Sequence, residues 1–180
     1  MKTTIKIILT SLIVILISFG IISCKKDKPG ESRMTLQMTD APADYLAVNV
    51  EIVGASVHLV NEGWVDVPVT TGVYNLLTLQ NDVTATLAPN VSIPLGRVNQ
   101  MRLHIGTNNS IVTANGTYGL KIPSGEESGI KINLNEDFLD HQHTFIVLDF
   151  DARASVVENG NNSYSLKPVI KIKSITHTNI

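Results

Sequence analysis

Four aspartates are spaced as a divalent cation would require. Asp40 and Asp44 flank Ala41-Pro42-Ala43, and Asp149 and Asp151 alternate with Phe150. Residues two apart on a strand share a face, so the second pair faces away from the core if Phe150 faces in. If the two strand ends lie together, four carboxylates share a small volume. Calcium takes roughly 6–8 oxygen ligands and suits such a loop. The same residues have an ordinary use. An aspartate before Ala-Pro accepts backbone N–H bonds in its own turn, and Asp151 can pair with Arg153. His141 and His143 would also share a strand face, as in some zinc sites, with Glu136, Asp137 and Asp140 close by. Polar turns collect the same residues.

A second chemistry is aromatic. Sugar sites use exposed rings, and aromatics make up only 5% of this chain. Trp64 is the one candidate platform, with Tyr45, Tyr74, Tyr118 and Tyr164 as possible helpers. Covalent catalysis finds little support. The chain has no G-x-S-x-G elbow, no H-E-x-x-H, no phosphate loop and no dinucleotide-binding glycine pattern, so no enzyme and no resident cofactor are expected.

The lone cysteine, Cys24, has a distinct context. Lys2 and Lys6 precede an apolar run from Ile7 to Ile22, the shape of an export signal. Ile21-Ile22-Ser23-Cys24 resembles the lipobox of bacterial lipoproteins, in which the signal is cut before the cysteine and the cysteine carries lipid. One acyl chain anchors only marginally and several anchor stably, so Cys24 reads as an anchor. Residues 1–23 are then a signal peptide, 24–33 a lipidated cysteine with a charged tether, and 34–175 one domain. No aspartate follows Cys24, which by the same resemblance places the protein at the outer membrane of a Gram-negative cell envelope, facing periplasm or exterior. Losing residues 1–23 removes two lysines and no acid, leaving 12 basic and 16 acidic residues, a net charge of −4. Nucleic acid would want a basic stripe and is not an expected partner.

The elements that must position these residues are short alternating strands. Met34, Leu36 and Met38 alternate with polar residues, as do Leu46, Val48, Val50 and Ile52; after Gly54 the apolar positions become odd, Val57 and Leu59. A glycine at a phase switch predicts a bulge. An Asn61-Glu62-Gly63 loop predicts a hairpin pairing Val60 with Trp64 and His58 with Asp66, with Trp64 facing outward. Asn115-Gly116 predicts a type I′ hairpin, and Asn159 to Ser163 a further turn. Strands are expected at Ile130–Leu134, Phe145–Phe150 and Leu166–Ile172, the last holding Pro168 at an edge or bulge. Asn81–Ala88 is the one short helix expected. The fold class is all-β, an antiparallel β-sandwich of the immunoglobulin or transthyretin kind, after a cleaved signal helix.

TDAPADYLAVNVEI (39–52), MRLHIGTNN (101–109), LKIPSG (120–125) and LDFDARASVVENGNNSYSLKPVIKI (148–172) occur in this order. Together they resemble an uncharacterised family of exported bacterial and archaeal domains bearing T-D-A-P and L-D-F-D…L-K-P signatures, over roughly Arg33 to Lys173. The resemblance implies a β-sandwich, often behind a lipoprotein signal, and brings no activity or catalytic residue. The Asp140-His141-Gln142-His143 turn departs from the glycine usual in that family. The expected function is a membrane-anchored, non-catalytic binding or assembly module for an unknown protein partner; the alternative is a carbohydrate-binding accessory lipoprotein of a polysaccharide-uptake system.

Overall fold

The computed structural model describes residues 30–123 and 129–180; Cys24, its signal segment and residues 124–128 lie outside the described residues. The organising strand is β2 (Ala47–Leu59), with Val48, Val50, Ile52, Val57 and Leu59 turned into the core. Its ladder shifts register between Ile52 and Gly54, the bulge that the phase switch predicts. One edge of β2 pairs first with β7 (Ser110–Thr113) and then with β6 (Gly96–Ile105). The other pairs with β4 (Gly72–Asn75) and then β3 (Gly63–Val67).

The larger sheet continues from β6 to β9 (Ile130–Phe138), and from β7 through β8 (Gly116–Lys121) and β12 (Ser163–Leu166) to β11 (Val156–Gly160). The smaller sheet has the order β13 (Ile170–Asn179), β10 (Gln142–Phe150), β1 (Glu31–Thr39) and β5 (Ala85–Pro94). The two pack face to face over one core, with Met34, Leu36, Met38, Leu148 and Phe150 from one and Val50, Ile52, Val57, Met101 and Leu103 from the other all fully buried. The sandwich is as expected, but its sheets are mixed. β1 runs parallel to β10 and β12 parallel to β8. These partners are distant in sequence, so no hairpin forces them antiparallel.

Where β6 ends and β7 begins, the ladder on β2 is closed by a side chain. Asn109 is 5% exposed; its Oδ1 accepts from Glu51 N (2.8 Å) and its Nδ2 donates to Gly106 O (2.7 Å). Glu51 in turn accepts from Gly106 N at its carbonyl and from Asn108 N at its carboxylate. The I-G-T-N-N stretch thus replaces a missing pair of backbone rungs.

Several local expectations shift. The β2–β3 hairpin pairs His58 with Trp64 and Ser56 with Asp66, two residues from the predicted register, and Leu59–Gly63 closes it. A slip of two preserves the faces, and Gly63 takes the left-handed φ of 84°. In the next hairpin Thr113 pairs with Gly116, so the loop is Ala114-Asn115 rather than Asn115-Gly116. Asn81 and Asp82 are left-handed (φ 57° and 65°) and form a turn into β5, not a helix. The helical turns fall instead at η1 (Leu76–Leu79, a 3₁₀ turn) and α1 (Ala152–Ser155), each capped by a side chain, Asn75 and Asp151. Leu46 precedes β2 and is 68% exposed. Pro168 lies between β12 and β13 rather than inside a strand. β1 begins at Glu31, inside the stretch read as tether, and β13 runs to Asn179.

Candidate functional site

The aspartates come first, since the parallel β1–β10 register sets Thr39 opposite Asp149. At this corner Thr39 Oγ1 donates to Leu79 O (2.7 Å) and lies 2.9 Å from Val83 O. Asp40 is 4% exposed; its Oδ1 accepts from Ala152 N at 2.8 Å. Its Oδ2 and the Gln80 Nε2 are both buried without a hydrogen-bond partner. Burial pushes the Asp40 carboxyl up to about 6; the Asp149 and Asp151 charges add to that push, while the Ala152 N–H and Gln80 oppose it.

Asp151 caps α1, its Oδ1 accepting from Ala154 N at 2.8 Å; it is not paired with Arg153. Ser155 completes the corner. Its Oγ donates to Asp151 O (2.6 Å) and accepts from Val169 N (2.8 Å), while its carbonyl accepts from Lys167 N. Three of the four aspartates therefore meet, and Asp44, exposed, stays outside. Two of the three have carboxylate oxygens occupied by backbone N–H groups. Among the described residues, no group of three or more His, Cys, Asp or Glu side chains is placed to hold a metal ion.

The histidines separate. His141 sits in the β9–β10 turn at φ 56°, paired with Asp140 at 3.0 Å. His143 lies on β10, its Nε2 2.8 Å from Thr35 Oγ1 and its ring stacked on Phe145. Burial and the nearby Arg33 charge lower its pKa.

The tryptophan faces outward and is not bare. Trp64 is 38% exposed on the outer face of the larger sheet, with the Arg102 guanidinium 4.0 Å above its ring centroid and His58 edge-on at 5.0 Å. His58 Nδ1 bonds Asn99 Oδ1 (2.9 Å) rather than Asp66. Beside Trp64, Ser56 Oγ lies 3.2 Å from His104 Nε2. Gly129, at φ 86°, packs against the same imidazole, and a Cβ there would come within 2.8 Å of His104 Nδ1. A shallow cleft of about 500 Å³ opens at the Gly54 bulge, lined by Asp66, Val67, Thr71 and His104 among others. Ser56–His104 has the spacing of a nucleophile and its base. Yet Ser56 is 4% exposed, and among the described residues no carboxylate hydrogen-bonds the imidazole to orient it.

Tyr45 belongs elsewhere. It precedes β2, whereas Trp64 pairs near the strand's other end, some eleven residues or roughly 35 Å away. Its neighbours include Tyr164, itself 5.3 Å from Tyr118. The two rings thus lie near opposite ends of β2. Arg102, His104, Ser56 and Asn109 are the residues that sequence reasoning missed. Arg102 and His104 alternate with Met101, Leu103 and Ile105, a period-two pattern that already turned both outward.

The T-D-A-P residues and the L-D-F-D…L-K-P residues thus build a single corner, and residues 31–168 match a family described as a domain of unknown function (DUF4382). The chain belongs to that family. Among the described residues, the DUF4382 match takes in β1 to β12 and stops before β13. No curated protein and no solved structure matches the chain.

Proposed function

We propose that this DUF4382 domain is a non-catalytic binding or assembly module, held at the outer membrane of a Gram-negative envelope by lipid on Cys24. The anchor rests on the cysteine's position directly after an apolar run and Ile-Ile-Ser. The binding reading rests on one observation: an exposed tryptophan fixed by Arg102 and His58, two residues along β3 from Asp66, which lines a cleft. Rigid, partly exposed Trp and Arg side chains are the residue types that dominate protein recognition. Here the side chains hold one another rather than a reacting centre.

Envelope fractionation with acyl-chain labelling tests the anchor. The wild type carries label and sediments with membranes; Cys24→Ser carries none and retains its signal. A membrane-held, acylated Cys24→Ser protein overturns the anchor. A photo-crosslinking residue at position 64 tests the surface: a discrete protein adduct is expected there and not from position 153. The second reading, a glycan-binding accessory protein, is favoured by Trp64 itself, and a glycan array with the mature domain decides it.

A further inference from the structure

The described chain begins at one end of the sandwich, and exposed apolar residues stand there among polar ones. Glu31 pairs with Pro94, Gly96 with Phe138 and Leu59 with Val98, and Ile180 N donates to His141 O. The β2–β3 loop, the β9–β10 turn, the start of β1 and the end of β13 therefore share this end. Val60, Leu139 and Ile180 stand out of it, 53%, 55% and 60% exposed. Val60 N bonds Arg97 O and Leu139 follows the residue opposite Gly96, so the two tips flank the start of β6, roughly 10 Å apart at two strand spacings.

Exposed apolar tips alone do not choose a partner, because Leu46 and Val83 protrude at the opposite end. The tether chooses. Cys24 to Gly30 spans six residues, roughly 20 Å when fully extended, about half the roughly 40 Å of the thirteen-residue β2. A lipid on Cys24 thus pins the Val60–Leu139–Ile180 end close to the bilayer. We infer that this end rests on the membrane surface, with Val60, Leu139 and Ile180 seated in the interfacial layer. The inference depends on the lipid anchor proposed above.

The charges fit a shallow, headgroup-level contact. Glu31 pairs with Arg33 (3.0 Å) and Asp137 with Arg97 (2.9 Å), which offsets two of the acids at this end. Glu62, exposed at the loop tip, is matched by the ammonium of a phosphatidylethanolamine headgroup. Lys25, Lys26 and Lys28 follow Cys24 closely in the sequence, and basic residues next to a lipid anchor are drawn to acidic headgroups.

The single tryptophan makes the test direct. In a Trp64→Phe background, Leu139→Trp, Val60→Trp and Leu46→Trp each place one reporter at an exposed site. The purified lipidated protein is reconstituted into phosphatidylethanolamine–phosphatidylcholine vesicles, with and without bromine on the acyl chains near the headgroup. Leu139→Trp and Val60→Trp should shift to the blue and lose emission to bromine, while Leu46→Trp keeps its emission. Protein that floats with vesicles yet shows no quenching at 139 and 60, or equal quenching at 46, overturns the orientation and leaves the anchor standing. Protein that does not float overturns both.

Discussion

Replacing Asp40 by asparagine isolates a buried carboxylate that the fold tolerates at a cost. Asp40 titrates near 6 in the folded protein, against an ordinary 3.8. Between those values the native state holds a proton that the unfolded chain has released, so stability falls as pH rises. The stabilisation is fully present below pH 3.8 and is lost above about 6. At 1.36 kcal/mol per pH unit, the interval is worth about 3 kcal/mol. Asparagine keeps an oxygen for the Ala152 N–H and removes the titration, while exchanging a charge-assisted hydrogen bond for a neutral one, a loss of about 1 kcal/mol. Urea or thermal unfolding of wild type and Asp40→Asn at pH 4, 5, 6 and 7.5 reads the difference between them, in which titrating groups not coupled to Asp40 cancel. The variant should gain on the wild type by about 2.5 kcal/mol from pH 4 to 7.5, roughly 5–10 °C in midpoint for a domain of this size. At pH 7.5 it should equal or exceed the wild type. A difference that does not change with pH refutes the reasoning and shows that Asp40 holds its charge in the corner without strain. Asp149→Asn, which removes one of the neighbouring charges, should narrow the wild-type pH dependence.

Asn109→Ala should cost about 1–3 kcal/mol, because it strands the Glu51 N–H and the Gly106 carbonyl between β6 and β7; a loss within error in urea unfolding would mean water fills the gap. Trp64→Ala should cost less than the roughly 3–5 kcal/mol typical of a buried large aromatic, since the ring is 38% exposed. In a double-mutant cycle with Arg102→Ala, the Trp64–Arg102 coupling should be about 0.5–2 kcal/mol, and zero coupling would mean the stacked guanidinium contributes nothing.

The parts of this fold legible in the sequence are those that local periodicity controls. Met34-x-Leu36-x-Met38 and Ile146-x-Leu148-x-Phe150 announced buried strand faces, and Gly54 announced its bulge, because side-chain direction repeats every two residues whatever the partner. Partner and direction were not legible. Nothing in β1 or β10 says that they run side by side in parallel, since that pairing is decided by the whole topology. The helical turns were misplaced because Asn81-Asp82 are as suited to left-handed turns as to caps. Their true sites depend on partners distant in sequence, as when Thr39 Oγ1 donates to the Leu79 carbonyl. The site was half legible. Trp64 faced outward because a hairpin slip of two keeps parity, but its contact with Arg102 joins strands nearly forty residues apart. The aspartates did converge, although Asp40 crosses to a backbone N–H of Ala152 rather than capping its own turn.

The placement of Trp64 bears on which partner the domain engages. The ring lies one residue beyond Gly63, where the β2–β3 hairpin closes, at the same end as Val60. With that end on the bilayer, whatever covers Trp64 approaches from the side, along the membrane, within a few strand spacings of the headgroups. A module that captures polysaccharide from the medium has more use for aromatic rings at its far end. The aromatic side chains there, Tyr45 and Tyr118, pack half-buried against the core, and Tyr164 is only 8% exposed. They are placed to close the sandwich rather than to stack on a free sugar. The far end also holds the Asp40 corner, where carboxylates are turned inward onto Ala152 and Ala154. On the proposed orientation the exposed Trp64 lies near the membrane, which favours a partner held in the same membrane. A crosslink from position 64 should accordingly capture a membrane-resident protein, and capture of a soluble one would move the argument back toward a ligand arriving from outside.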